Sequence, residues 1–229
     1  MSAVIYLPAM IRDRIVAWVL RHERWWLYLA LPLVSLVMHW GILGKDLQGM
    51  HVWRQTGTQQ TIDAFVEEDF CILNPRRLER GTTDGISRVE FPLYQWLIAA
   101  MAKVVGHSVL VMRLFTFLLG CFGIWAMRHL LVALTRDRLA GLLGGFFFAF
   151  APVVYYYSVC ALPDMLALVL AMWGLVFLLR QGERLDWRNA ALAVSLIGIS
   201  VLVKLPYVIF FPAFVVWAIQ EFRKASEKR

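Results

Sequence analysis

The stretch "EFPLYQWLIAAMAKVVGHS", residues 90–108, decides how the whole chain is threaded. Its clean apolar run, Phe91 to Ala102, is about a dozen residues long, short of the roughly 20 that a membrane-crossing helix needs and typical of interfacial or re-entrant helices. Were it to cross, every later connection would change sides. Those connections are "TRDR" with Arg136 and Arg138, "RQGERLDWR" with Arg180, Arg184 and Arg188, and the terminal "FRKASEKR". All three are basic, and Lys and Arg accumulate on the cytoplasmic side of membrane proteins. Only a non-crossing 90–108 segment puts them on that side together with the basic N-terminal segment. It is therefore read as a juxtamembrane helix on the outer face.

Working outward, apolar runs suited to spans lie at 25–43, 110–134, 139–158, 163–180, 189–204 and 206–222. The first, "WWLYLALPLVSLVMHWGIL", opens on an aromatic pair of the kind that marks a membrane interface. With 60% hydrophobic residues and a mean hydropathy of +0.64, the chain is an integral membrane protein. No alternation suited to a β-barrel is visible, so helices carry the spans. The expected fold is all-α and polytopic, with about six transmembrane helices plus outer-face juxtamembrane helices.

Its organisation follows from the same pattern. Residues 1–24 form a cytoplasmic amphipathic segment, in which Ile11, Ile15, Trp18 and Val19 recur at helical spacing among Arg12, Arg14, Arg21 and Arg24. Residues 25–222 form the transmembrane module, residues 44–108 its long outer loop, and residues 223–229 a basic cytoplasmic tail. The net charge of +7 is thereby topological and does not point to nucleic acid. Cys71, Cys121 and Cys160 show no metal-ligand spacing and read as packing residues. No cleavable signal peptide is apparent.

Within the outer loop, "HVWRQTGTQQTIDAF" (51–65) places His51, Trp53, Arg54 and Gln55 side by side, and Thr58 can cap a helix with Ile62, Phe65 and Val66 on its apolar side. "NPRRLERGTTDGISR" (74–88) reads as irregular. Glu90 directly precedes a helix start, where a carboxylate either balances the helix dipole or acts as a base. Asp164, after Pro163, opens a span, and Lys204 in "VLVKLPYV" ends one. Each has a structural reading, as a helix-end acid and a snorkelling lysine, beside a functional one. On the outer side, however, Lys204 and Arg54 run against the charge bias, and a guanidinium there suits a phosphate. The topology brings His51, Arg54, Gln55, Glu90, Asp164 and Lys204 to one interface. That mixture suits a polar headgroup substrate. No phosphate-binding glycine loop is present, and no span carries the mid-membrane breaks of a transporter.

The succession "HVWRQTGT", "NPR", "EFPLYQWLIAAMAKVVG", "MRLFTFLLG", "APVVYYYSVCALPD" and "VLVKLPY" resembles the N-terminal membrane module of GT-C glycosyltransferases, over about residues 35–215. The resemblance is strongest to the bacterial branch related to protein O-mannosyltransferases and the lipid A aminoarabinose transferase. It implies transfer of a sugar from a polyprenyl-phosphate donor to an acceptor at the outer, periplasmic face of a bacterial inner membrane. It further implies Glu90 and Asp164 as catalytic acids, with His51, Trp53, Arg54, Gln55, Tyr94 and Lys204 in substrate binding. The expected partners are the lipid-linked sugar, membrane lipids and a second membrane subunit, without nucleic acid; a divalent metal is left open. In the family's "WRQ" pattern an Asp commonly stands where this chain has Gly57, and family chains are usually much longer. Those departures keep a second expectation alive, a non-catalytic lipid-carrier-binding or accessory subunit on the same fold.

Overall fold

A computed structural model describes residues 9–78, 80–180 and 186–227, and among these helices make up the regular structure, with one isolated antiparallel bridge, Arg76 to Ile86, in an irregular connection. The all-α expectation holds. Helix α1 (Ala9–Arg21) exposes Ile11, Ile15 and Trp18, while Val19 packs against the bundle. Helix α2 (Glu23–Trp25) runs through a π-helical stretch, Trp26–Ala30, into α3 (Leu31–Leu43). Pro32 lies in the first turn of α3 and has no N–H to give to the turn before it, which is where the wider π geometry appears.

This 21-residue helix, Glu23–Leu43, and the 27-residue α6 (Val109–Thr135) are long and apolar enough to cross a membrane. The other apolar helices among the described residues are shorter: α5 (Leu93–Val105), α7 (Arg138–Phe150), α9 (Asp164–Leu179), α10 (Trp187–Val203) and the stretch Leu205–Gln220. The run expected as a span at 139–158 breaks at Ala151, which is extended ahead of Pro152, and resumes as the short α8 (Pro152–Tyr157). After α10, Lys204 is extended, a 3-10 turn covers Leu205–Phe210, and α11 (Phe211–Glu227) follows. Helix α5 is about 20 Å long at 1.5 Å per residue, well short of a hydrocarbon core of roughly 30 Å.

Helices α6, α7, α9 and α10 form the packed centre, and small residues set their spacing. A Cβ on Gly174 of α9 would stand 2.6 Å from Ile197 of α10, and one on Gly123 of α6 would stand 2.6 Å from Phe148 of α7. Such close approach is how apolar helices associate where no water is available to drive them together.

The main core cluster lies at one end of the bundle, where Ile62 and Phe65 of α4 (Val52–Glu67) meet Tyr94 and Ile98 of α5, Met112 of α6, Leu166 of α9 and Val203 of α10. Helix α4 begins at Val52, six residues before the expected cap at Thr58. His51 takes a left-handed conformation, and its carbonyl accepts from Arg54 N (2.9 Å) and Gln55 N (3.0 Å). Thr56, Gly57 and Thr58 are weak helix formers, but the burial of Gln55 anchors the first turn and overrides that preference. The stretch 74–88, expected as irregular, lies in a connection from Glu68 to Phe91 that is tied to itself. Asp69 accepts from Cys71 N (2.9 Å) and Asn74 Nδ2 (2.8 Å), bonds that hold its carboxyl below the usual range. Glu68 pairs with Arg76 and Arg80. The three cysteines are free thiols; Cys121 and Cys160 are buried as packing residues, whereas Cys71, also expected to pack, is exposed.

Candidate functional site

Three chain breaks at proline build the site. Pro92 caps the start of α5, Pro163 precedes α9, and Pro206 follows the end of α10. Each break leaves one ionisable residue at a helix end: Glu90, Asp164 and Lys204. Phe91 N donates to Leu202 O (3.1 Å), so the residue beside Glu90 is hydrogen-bonded to the last turn of α10. Tyr207 donates through its hydroxyl to Asp164 O (3.3 Å), joining the turn after Lys204 to the start of α9.

The side chains then converge. Lys204 Nζ stands 3.2 Å from Glu90 Oε1 and 3.4 Å from Asp164 Oδ2, and Arg54 Nη2 of α4 lies 3.9 Å from the same Glu90 oxygen. Two acids face two cations. Lys204 Nζ and Asp164 Oδ2 are closed off from solvent and lack an aligned hydrogen bond, so charge proximity alone offsets their burial. Glu90 is the more open acid, with 34% of its side chain exposed against 25% for Asp164.

Glu90 also lies in the wall of two cavities. One, of about 240 Å³, is the more polar of the two and is lined by Trp53, Arg54, Gly57, Arg77, Ser87 and Gln95 among others. The second, of about 530 Å³, is mostly apolar, with Ile72, Leu73, Phe91, Val201, Leu202 and Leu205 in its wall. Pro75, Val89, Glu90 and Pro92 border both.

The remaining expected residues divide. Trp53 is exposed and lines the polar cavity. His51 packs its ring 6.4 Å from that of Tyr157 and lies outside both linings. Gln55 is only 1% exposed, and its carboxamide is fully engaged: Nε2 donates to Gln48 O and Met50 O (3.3 Å each), and Oε1 accepts from Ala161 N (3.3 Å). It joins the loop before α4 to the one before α9, which makes it a positioning residue. Tyr94 is corrected outright. It is wholly enclosed in the core, and its hydroxyl is 2.6 Å from Thr116 Oγ1. One helical position on, Gln95 faces the polar cavity instead, and its Oε1 is buried without a partner. Gln95 was the one polar residue in "PLYQWLIAA", a visible signal.

Arg113 was also missed. It is 1% exposed on α6, and it donates to Asp46 O (2.9 Å), Lys45 O (3.2 Å) and Val159 O (3.4 Å). Three carbonyls of two loops thus meet on one guanidinium, which fixes the floor on which α4 and α9 begin. Among the described residues no group of three or more His, Cys, Asp or Glu side chains gathers to hold a metal ion.

The chain is an all-helical apolar bundle with a balanced charge cluster at one end, beside two cavities, and a family match assigns it to the membrane glycosyltransferases of the GT-C type. The sequence comparison is specific. The model of the dolichyl-phosphate-mannose-protein mannosyltransferase family matches residues 89–228, more than half of the chain, and the protein belongs to that family. The match takes in Glu90, Asp164 and Lys204 but begins after Arg54 and Gly57. No curated protein and no solved structure matches the chain.

Proposed function

We propose that the chain transfers a sugar from a polyprenyl-phosphate donor to an acceptor hydroxyl, at the periplasmic face of a bacterial inner membrane. One observation carries this: Glu90 borders both a mostly apolar cavity of about 530 Å³ and a more polar one, with Arg54 and Lys204 beside it. In a single displacement the acceptor oxygen attacks the anomeric carbon, the bond from that carbon to the phosphate oxygen breaks, and the hydroxyl proton passes to Glu90. The departing polyprenyl phosphate keeps the bonding pair, and Arg54 and Lys204 balance its charge. Asp164, the more enclosed acid, holds Lys204 in place. Gln95 Oε1 and Ser87 offer polar atoms to sugar hydroxyls.

The orientation proposed with this reading has six spans, residues 44–108 outside, and residues 1–24 and 223–229 in the cytoplasm. The short α7, α9 and α10 would then cross as tilted or locally thinned segments. Incubation of the purified chain with labelled polyprenyl-phosphate sugars tests the reaction: transfer is expected from wild type and lost in Glu90→Gln. Absence of transfer by wild type, or full transfer by Glu90→Gln, overturns it.

Gly57 supports a second reading. It lines the polar cavity, and nothing lies within 4 Å of where its Cβ would be, so the acid expected from the family pattern would fit there but is missing. On this reading the chain binds the lipid carrier without turnover and serves a second membrane subunit. Polyprenyl phosphate would still bind, less tightly in Arg54→Ala, and Gly57→Asp would be needed for transfer.

A further inference from the structure

The opposite end of the bundle holds a cluster that the transfer reaction does not use. Helix α9 runs from Asp164 to its C-cap at Arg180, about 24 Å by the rise per residue. There Arg180 Nη2 lies 3.4 Å from His129 Nδ1 of α6, and Arg128 Nη1 lies 3.2 Å from that same nitrogen. One imidazole lone pair cannot satisfy two guanidinium donors. Glu23 of α2 pairs with Arg128 (2.9 Å) and Arg138 (3.0 Å), and among the described residues no carboxylate stands at ion-pair distance from Arg180. Glu23 is thus shared by two guanidiniums, and Arg180 adds a third cation beside them.

A helix-dipole role suits Arg180 at the C-cap of α9 but not Arg128 and His129. Arg128 and His129 lie two turns before the end of α6, where its carbonyls are already bonded within the helix. The surroundings are those of a membrane interface: the Trp173 ring packs 5.6 Å from that of His129, and Leu179, next to Arg180 in the chain, and Leu134, in the last turn of α6, are exposed apolar residues.

We propose that Arg128, His129 and Arg180 form a binding site for the phosphate of an anionic phospholipid, its acyl chains lying along Leu134 and Leu179. A phosphodiester presents several acceptors in the forked geometry that guanidinium donors match, and it supplies the negative charge that the cluster lacks. A phospholipid is favoured over free phosphate because Arg180 ends the apolar α9 next to the exposed Leu179.

Native mass spectrometry of the full chain in detergent tests this, with phosphatidylglycerol, phosphatidylcholine and inorganic phosphate as probes. Phosphatidylglycerol is expected to be retained over phosphatidylcholine, and Arg180→Gln to weaken its binding about tenfold, the loss of one charge-assisted pair. Arg136→Gln, an exposed charge at the same end, is expected to change it less than about twofold. Arg180 is exposed, so its loss leaves packing intact, and an unchanged thermal transition checks this. Unchanged binding in Arg180→Gln, equal weakening in Arg136→Gln, or displacement of the lipid by millimolar phosphate overturns the proposal.

Discussion

The two ends of the bundle carry the same kinds of side chain and differ in what surrounds them. At one end Lys204 and Arg54 face Glu90 and Asp164, the charges balance, and two cavities open beside them. At the other, Glu23 is clasped by Arg128 and Arg138, only 11% of its side chain is exposed, and it fastens α2 to α6 and α7. The comparison teaches that an ion pair in an apolar bundle becomes a candidate for chemistry when one partner keeps an open face. Glu90 does and Glu23 does not.

Substitutions at the two ends should therefore fail in different ways. The largest effect is expected from Glu90→Gln, which should lower sugar transfer by roughly 100-fold or more while leaving thermal unfolding close to wild type. Glu23→Gln should reverse that pattern. With the partly buried Arg128 left without its counter-charge, stability should fall by about 2–3 kcal/mol, read by thermal unfolding in detergent, with transfer intact in the protein that remains folded. Gln55→Leu should cost about 2 kcal/mol and lower transfer only through stability, because its three hydrogen bonds all go to backbone.

The smallest effect is expected at Asp63, whose carboxylate lies 3.1 Å from His107 Nδ1. Burial raises the Asp63 pKa, and the opposing pull of His107 does not cancel it. The fold thus favours the protonated acid, and this contribution is lost as pH rises through the carboxylate range. Asp63→Asn should flatten that dependence and leave stability at pH 7 within about 0.5 kcal/mol.

Much of the candidate site was legible because its residues stand beside prolines. Glu90, Asp164 and Lys204 each adjoin a helix break that a linear reading can find, and basic connections set all three breaks on one side. The rotation of a helix about its axis is not legible in this way. Tyr94 and Gln95 are neighbours in sequence about 100° apart around α5, and only packing against Ile62 and Met112 decides which faces inward. The start of α4 was misplaced for a related reason: its first turn is held by Gln55 reaching Ala161, a contact 106 residues away. Arg113 falls within the apolar run at 110–134, and nothing nearby in sequence marks the three carbonyls that it gathers. The number of spans was read from apolar content, whereas the helices' lengths depend on where Ala151 and Lys204 turn extended.

The claim that Glu90 is the base and Asp164 the residue that positions Lys204 is tested most directly by single-turnover transfer from a labelled polyprenyl-phosphate sugar, measured across pH in wild type, Glu90→Gln and Asp164→Asn. The account predicts that Glu90→Gln binds the donor but loses transfer at every pH. Asp164→Asn should keep a measurable rate with the wild-type acid limb and weaker donor binding. Retention of transfer by Glu90→Gln, with its loss in Asp164→Asn, would contradict it.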